Sequence, residues 1–164
     1  MRLTFVALLV MCAGTAAMAQ AQAPADARLF ASSAEVTALI ERAKAERQAD
    51  QANFVQPVVR SAPFAMNLEY RVGGLNANAT AHDTEAEMFV VVEGSGTLVT
   101  GGTIRDERRT NAANRAGTAI DGGARRTLSK GDVALVPEGV PHWFTDVNGT
   151  LVLLSMHLPR PAGQ

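Results

Sequence analysis

Residues 80–94 read TAHDTEAEMFVVVEG: a polar, acidic opening, then five apolar residues, then Glu93-Gly94. The chain has only three histidines, and one of them, His82, has Asp83, Glu85 and Glu87 within five residues of it. Two readings fit the stretch taken alone. It is a charged turn leading into an ordinary strand, or it is the first half of a metal site.

The sequence around it is strand-like. Beyond Gln51, short β-type runs alternate with Gly, Pro and Asn: 54–59, 64–72, 88–92, 97–100, 133–136 and 151–158. That rhythm marks an all-β sandwich or barrel. Asn148-Gly149, just before the last run, suits a tight hairpin turn with positive φ. Upstream, Ser32-Ser33-Ala34-Glu35 matches a capping box, and Val36, Leu39, Ile40 and Ala43 recur at helical spacing. Residues 32–52 are therefore expected to form an N-terminal helix and 53–160 the β domain.

The amino terminus has a different character. Arg2, the apolar run 3–13 and the small residues ending in Ala17-Met18-Ala19 have the order of a secretory signal peptide with an A-x-A cleavage site. The apolar run is shorter than the ~20 residues a spanning helix needs. Residues 1–19 are thus expected to direct export to the periplasm or beyond, followed by an Ala/Gln/Pro linker over 20–31. Cys12, the only cysteine, lies inside the export segment, and Met11 before it disfavours lipidation. A mature chain cut after Ala19 has no thiol, no disulfide and no membrane attachment. With 164 residues, 47% hydrophobic content and a net charge of −1, nothing points to nucleic acid.

Two longer spacings decide between the readings of the opening stretch. Gly74, Thr80, His82, Glu87 and Gly94 match the pattern G-x5-H-x-H-x4-E-x6-G at every spacing, with Thr80 in place of the first histidine. Farther on, Gly131, Pro137, Gly139, His142 and Asp146 match G-x5-P-x-G-x2-H-x3-N, with Asp146 in place of Asn. In this order, over residues 64–158, the pair resembles the two motifs of the cupin superfamily. The resemblance implies a small double-stranded β-helix (jelly-roll) barrel, a homodimer of barrels, a small-molecule ligand and a mononuclear divalent metal held by His82, Glu87 and His142.

Strand geometry is compatible with that ligand set. Thr80 and His82 share one face of a strand, and Glu87, of opposite parity, joins them if the chain bends between Asp83 and Ala86. Phe89 and Val91 would then follow Glu87 inward. Two imidazoles and one carboxylate suit Fe, Mn, Zn, Ni or Cu and leave coordination positions open. The other reading is a barrel whose surviving residues are merely hydrogen-bonded to one another. The expected activity is that of a metal-dependent oxygenase, lyase or isomerase with Glu87 and Tyr70 as candidate catalytic groups; the alternative is a non-catalytic small-molecule or sugar-binding module.

Other residues are expected to be bland. His157 reads as a core or edge residue of the last strand, although it could supply a fourth ligand. Asp83 and Glu85 read as solvated turn residues. Tyr70 and Arg71 are adjacent on a strand, so only one of them can face inward. Residues 101–130, with Arg105, Arg108, Arg109, Arg115, Arg125 and Arg126, read as a solvated insertion loop shaping access to the cavity.

Overall fold

The computed structural model describes residues 26–160. The expected export segment, Cys12 and most of the expected linker lie outside the described residues. Helix α1 (Ser33–Glu46) starts at the expected capping box: Ser32 Oγ accepts from the Glu35 backbone N–H, and Glu35 accepts from the Ser32 N–H. It ends six residues before the expected boundary, where Arg47 turns extended.

Strands follow in the order β1 (Asn53–Ser61), β2 (Phe64–Val72), β3 (Ala79–His82), β4 (Glu85–Thr100), β5 (Thr103–Arg105) and β6 (Arg108–Arg109). Then come β7 (Asn114–Gly117), β8 (Ala119–Asp121), β9 (Ala124–Ser129), β10 (Val133–Val136), β11 (His142–Thr145) and β12 (Thr150–Pro159). All pairings are antiparallel. The architecture is the all-β double-stranded β-helix expected from the sequence.

Strand β4 makes the barrel. The runs 88–92 and 97–100, expected as separate strands, are two halves of one strand that serves both sheets. Its first half lies between β12 and β10, in the order β1-β2-β12-β4-β10, and its second half between β9 and β11, in the order β9-β4-β11-β3-β7-β6. Gly94 stands between the halves at φ +78°, and a Cβ there would lie 1.9 Å from Thr150 O. Only glycine permits both the backbone angle and the close approach. Asn148-Gly149 is a turn with Gly149 at φ +68°, but it closes no hairpin, because β11 and β12 belong to different sheets.

Three apolar clusters surround this frame. Phe89, Val91, Leu98, Phe144, Leu151 and Leu153 fill the barrel between the sheets. Ile40 and Ala43 of α1 cover Val58, Leu68, Tyr70 and Val152 on the outer face of the first sheet. Ala79 and Ala81 pack with Ile104 and Ile120 of the small β5-β8 sheet. Residues 101–130 are therefore not an insertion loop: they form strands β5 to β9, three of which (β6, β7 and β9) belong to the second sheet and two of which (β5 and β8) cover the back of β3.

Candidate metal centre

The pairing of the strands gathers the polar residues at one end of the barrel. On β3 the alanines face the β5-β8 sheet, so Thr80 and His82 face the interior. The chain bends at Asp83-Thr84, and the parity changes there. Glu87 consequently points inward with Phe89 and Val91, and is 4% exposed. His142 opens β11 opposite Thr80 and is 3% exposed. The Gly139 N–H bonds to His82 O at 2.6 Å, which ties the loop before His142 to the strand that carries His82.

His82 Nε2 and His142 Nε2 each lie 3.2 Å from Glu87 Oε2. Thr80 Oγ1 is 3.0 Å from His142 Nε2, so the residue at the substituted motif position does reach the site. Ser155 Oγ donates to Glu87 Oε1 at 2.6 Å and fixes the carboxylate plane. Burial alone would raise the Glu87 pKa and lower that of His82. Hydrogen bonds from His142, His82 and Ser155 overcome burial and hold Glu87 far below the usual carboxylate range, while bonds to Glu87 and Asn114 raise His82.

Several residues differ from expectation. His157 is not a bland strand residue: it is the direct cross-strand partner of Glu87, with Nε2 3.3 Å from Glu87 Oε1 and Nδ1 2.9 Å from Glu85 Oε1. Glu85 and Asp83 are not free turn residues. Asp83 binds Arg109 at 2.8 Å and Arg115 at 2.9 Å, and Arg115 also donates to Gly139 O at 3.0 Å. Tyr70 does not take the inward position, because β2 turns it toward α1 with Leu68. Arg71 takes the inward position instead, its guanidinium 4.2 Å from the Phe144 ring centroid and paired with the buried Glu69.

Asn114 escaped the sequence reading altogether. Its Oδ1 accepts from His82 Nδ1 at 2.7 Å. No local signal marks it, since it reaches His82 only through the β3-β7 pairing, which sets the two residues side by side. For His157 there was a signal. Ser155 interrupts an apolar run and shares a strand face with His157, which is how a polar pocket looks from within a β-strand.

The sequence matches the family model described as Cupin over residues 45–160. The chain belongs to the cupin family. No curated protein sequence matches this cupin significantly. Among solved structures, the Bacillus halodurans protein BH2720 has a TM-score of 0.53 at 15% identity, covering 87% of this chain and 90% of that one. A conserved Klebsiella pneumoniae protein with a double-stranded β-helix domain has a TM-score of 0.51 at 15% identity, covering 71% and 85% of the respective chains. KdgF from a Halomonas species has a TM-score of 0.50 at 14% identity, covering 71% and 86%. At these identities the likeness concerns the fold.

The cupin's donor set fits a divalent metal. Two donors each ~2.1 Å from a metal and at right angles to it would lie ~3.0 Å apart, close to the 3.2 Å separating each imidazole from Glu87. In the neutral imidazole, the bond from His82 Nδ1–H to Asn114 leaves Nε2 with its lone pair toward the site, the usual support of a ligating histidine. Beside His142 and Thr80 a cavity of about 380 Å³ is lined by Asn53, Arg71, Asn76 and Asn78. Its walls suit a small polar molecule.

Proposed function

We propose that this cupin holds a mononuclear divalent first-row metal on His82, Glu87 and His142 and acts on a small polar molecule admitted through the Asn- and Arg-lined cavity. The observation that carries the reading is the convergence of two imidazole nitrogens on one buried carboxylate oxygen at equal distances. A buried carboxylate between two imidazoles is costly unless its charge is compensated, and a divalent cation compensates it. When bound, such a metal supplies Lewis-acid polarisation of a carbonyl or carboxylate, or a redox centre for dioxygen chemistry.

The chain's own residues supply the rest. Asn53, Asn76 and Asn78 offer amide groups along the cavity, and Arg71 sets a cation over the Phe144 ring. Arg71 is already paired with Glu69, which restrains its position. Thr80 adds a hydroxyl at the boundary between cavity and site. Phe89 closes the inner side, 5.8 Å from the His142 ring, and keeps bulk water from the ligands.

The charged, apolar and small-residue order of residues 1–19 supports an exported, periplasmic or secreted protein. Amino-terminal sequencing of protein taken from the periplasm should begin near Gln20; an intact Met1 would refute export. The exposed Val55 on the β1 edge supports association of two barrels through that edge.

Elemental analysis of the purified protein tests the central reading. About one equivalent of a divalent transition metal is expected, with most of it lost in His82→Ala, Glu87→Ala and His142→Ala. A parent protein that takes up no metal would leave the barrel as a non-catalytic binding module.

A further inference from the structure

We infer that Ser155 is a positioning residue of the metal site: by holding Glu87 Oε1 in a hydrogen bond, it restricts Glu87 to ligation through Oε2 alone and keeps a further coordination position open. The inference rests on the metal site proposed above and adds a residue that neither sequence motif contains.

Three observations carry it. First, the two oxygens of Glu87 face different partners. His82 Nε2 and His142 Nε2 each lie 3.2 Å from Oε2. Ser155 Oγ donates to Oε1 at 2.6 Å, and His157 Nε2 stands 3.3 Å from that same oxygen. An ion gathered by the two motif imidazoles therefore meets Oε2, while Oε1 is turned toward β12. Second, the register of the strands puts the hydroxyl there. Ser155 pairs with Phe89, two residues from Glu87 along β4, and residues two apart on a strand share a face. Third, the hydroxyl has no packing reason to be present. Leu151 and Leu153 line the inner face of β12 before it, and Ser155 continues that face at 0% exposure. An apolar residue would complete the wall, whereas a buried hydroxyl is costly unless it is hydrogen-bonded. Its side-chain partner among the described residues is the Glu87 carboxylate, at the length of a charge-assisted O–H···O⁻ bond.

The consequence concerns the open positions. A carboxylate that ligates through both oxygens spends two coordination positions, and one that ligates through a single oxygen spends one. With Oε1 held by Ser155, and with Thr80 bringing a hydroxyl where the motif has an imidazole, the site is left with three single-atom ligands. Two imidazoles and one carboxylate in that form leave positions free for an incoming molecule.

The test compares the purified parent with Ser155→Ala and Ser155→Thr. Infrared difference spectra, metal-loaded minus metal-free, are taken on protein carrying isotope-labelled glutamate. The separation between the antisymmetric and symmetric carboxylate stretches is wide for ligation through one oxygen and narrow for ligation through two. With Zn(II) the parent should show the wide separation, Ser155→Ala the narrow one, and Ser155→Thr, which keeps the hydroxyl, the wide one again. Azide titrated against the Co(II) form, followed by visible absorption, should bind at least about tenfold more weakly to Ser155→Ala, because the second oxygen has taken the position that azide needs. Ser155→Thr should restore the parent's azide affinity. A hydroxyl that only fills space would change the melting temperature and move neither reading. A narrow separation in the parent overturns the inference without any variant, and so does a Ser155→Ala protein that matches the parent in both separation and azide affinity. Either result leaves the three-ligand site standing. A parent that takes up neither Zn(II) nor Co(II) removes that site, and the inference with it.

Discussion

Asn114 Oδ1 accepts a 2.7 Å hydrogen bond from His82 Nδ1 across 32 residues of chain, and so a strand outside both sequence motifs sets the tautomer of a candidate ligand. Asn114→Leu removes the acceptor while retaining side-chain bulk. Metal affinity should fall about 10–100-fold, the usual effect of losing such a partner, with the circular dichroism of the barrel unchanged. Affinity equal to the parent's would mean that His82 is positioned without Asn114.

The stabilisation gained on adding metal should grow with pH while the metal-free protein weakens. In the metal-free protein Glu87 is held below the usual carboxylate range, so its contribution is present above ~4.3 and lost as pH falls. The raised pKa of His82 gives the opposite sign: its contribution is present below ~6.5 and lost as pH rises through the raised value. The metal-free Tm should therefore decline as pH rises above ~6.5. Metal requires the unprotonated nitrogen, so the rise in Tm on adding Zn(II) should grow over the same interval. Differential scanning calorimetry with and without metal measures both trends, and a metal increment that shrinks with pH would contradict the ligand role.

Gly94→Ala should be far more damaging than Gly74→Ala, although both residues have positive φ, +78° and +77°. A Cβ on Gly94 meets Thr150 O, whereas one on Gly74 meets nothing within 4 Å. Urea denaturation should show a loss of about 1–2 kcal/mol for Gly74→Ala from backbone strain alone. Gly94→Ala adds the steric conflict and should lose more than ~3 kcal/mol or fail to fold. Equal losses would mean that β4 is not pinned to β12 at the crossing between sheets.

Tyr70→Phe should leave metal binding unchanged, because its ring packs beneath α1 with Ile40 and Ala43 rather than in the cavity. Chelator competition checks this directly. A weakened affinity would return Tyr70 to the site.

Arg115→Ala should loosen the site from behind. Arg115 joins Asp83, Glu107 and Gly139 O, linking the bend after His82 to the loop before His142. The variant should melt at a lower temperature and exchange the Gly139 amide hydrogen, bonded to His82 O, faster than the parent. Unchanged exchange at that amide would show that the two motifs hold together without the clamp.

The sequence by itself was sufficient for the helix cap, the all-β class and the approach of Glu87 to His82, because each is written in short-range spacing, whereas the arrival of His142 beside them was implied only by the resemblance to cupins. Ser32 and Glu35 are one helical turn apart, and the bend between His82 and Glu87 lies within five residues. The tertiary structure alone decided which face each strand turns inward. A β-strand shows its period of two in sequence but not its phase, since phase depends on the register against a distant partner. That is why Tyr70 and Arg71 could not be told apart until β2 was paired with β12, and why His157 looked bland until Glu87 stood opposite it. Asn114 is the extreme instance: its role exists only because β7 pairs with β3, and nothing within its own stretch of chain records that pairing.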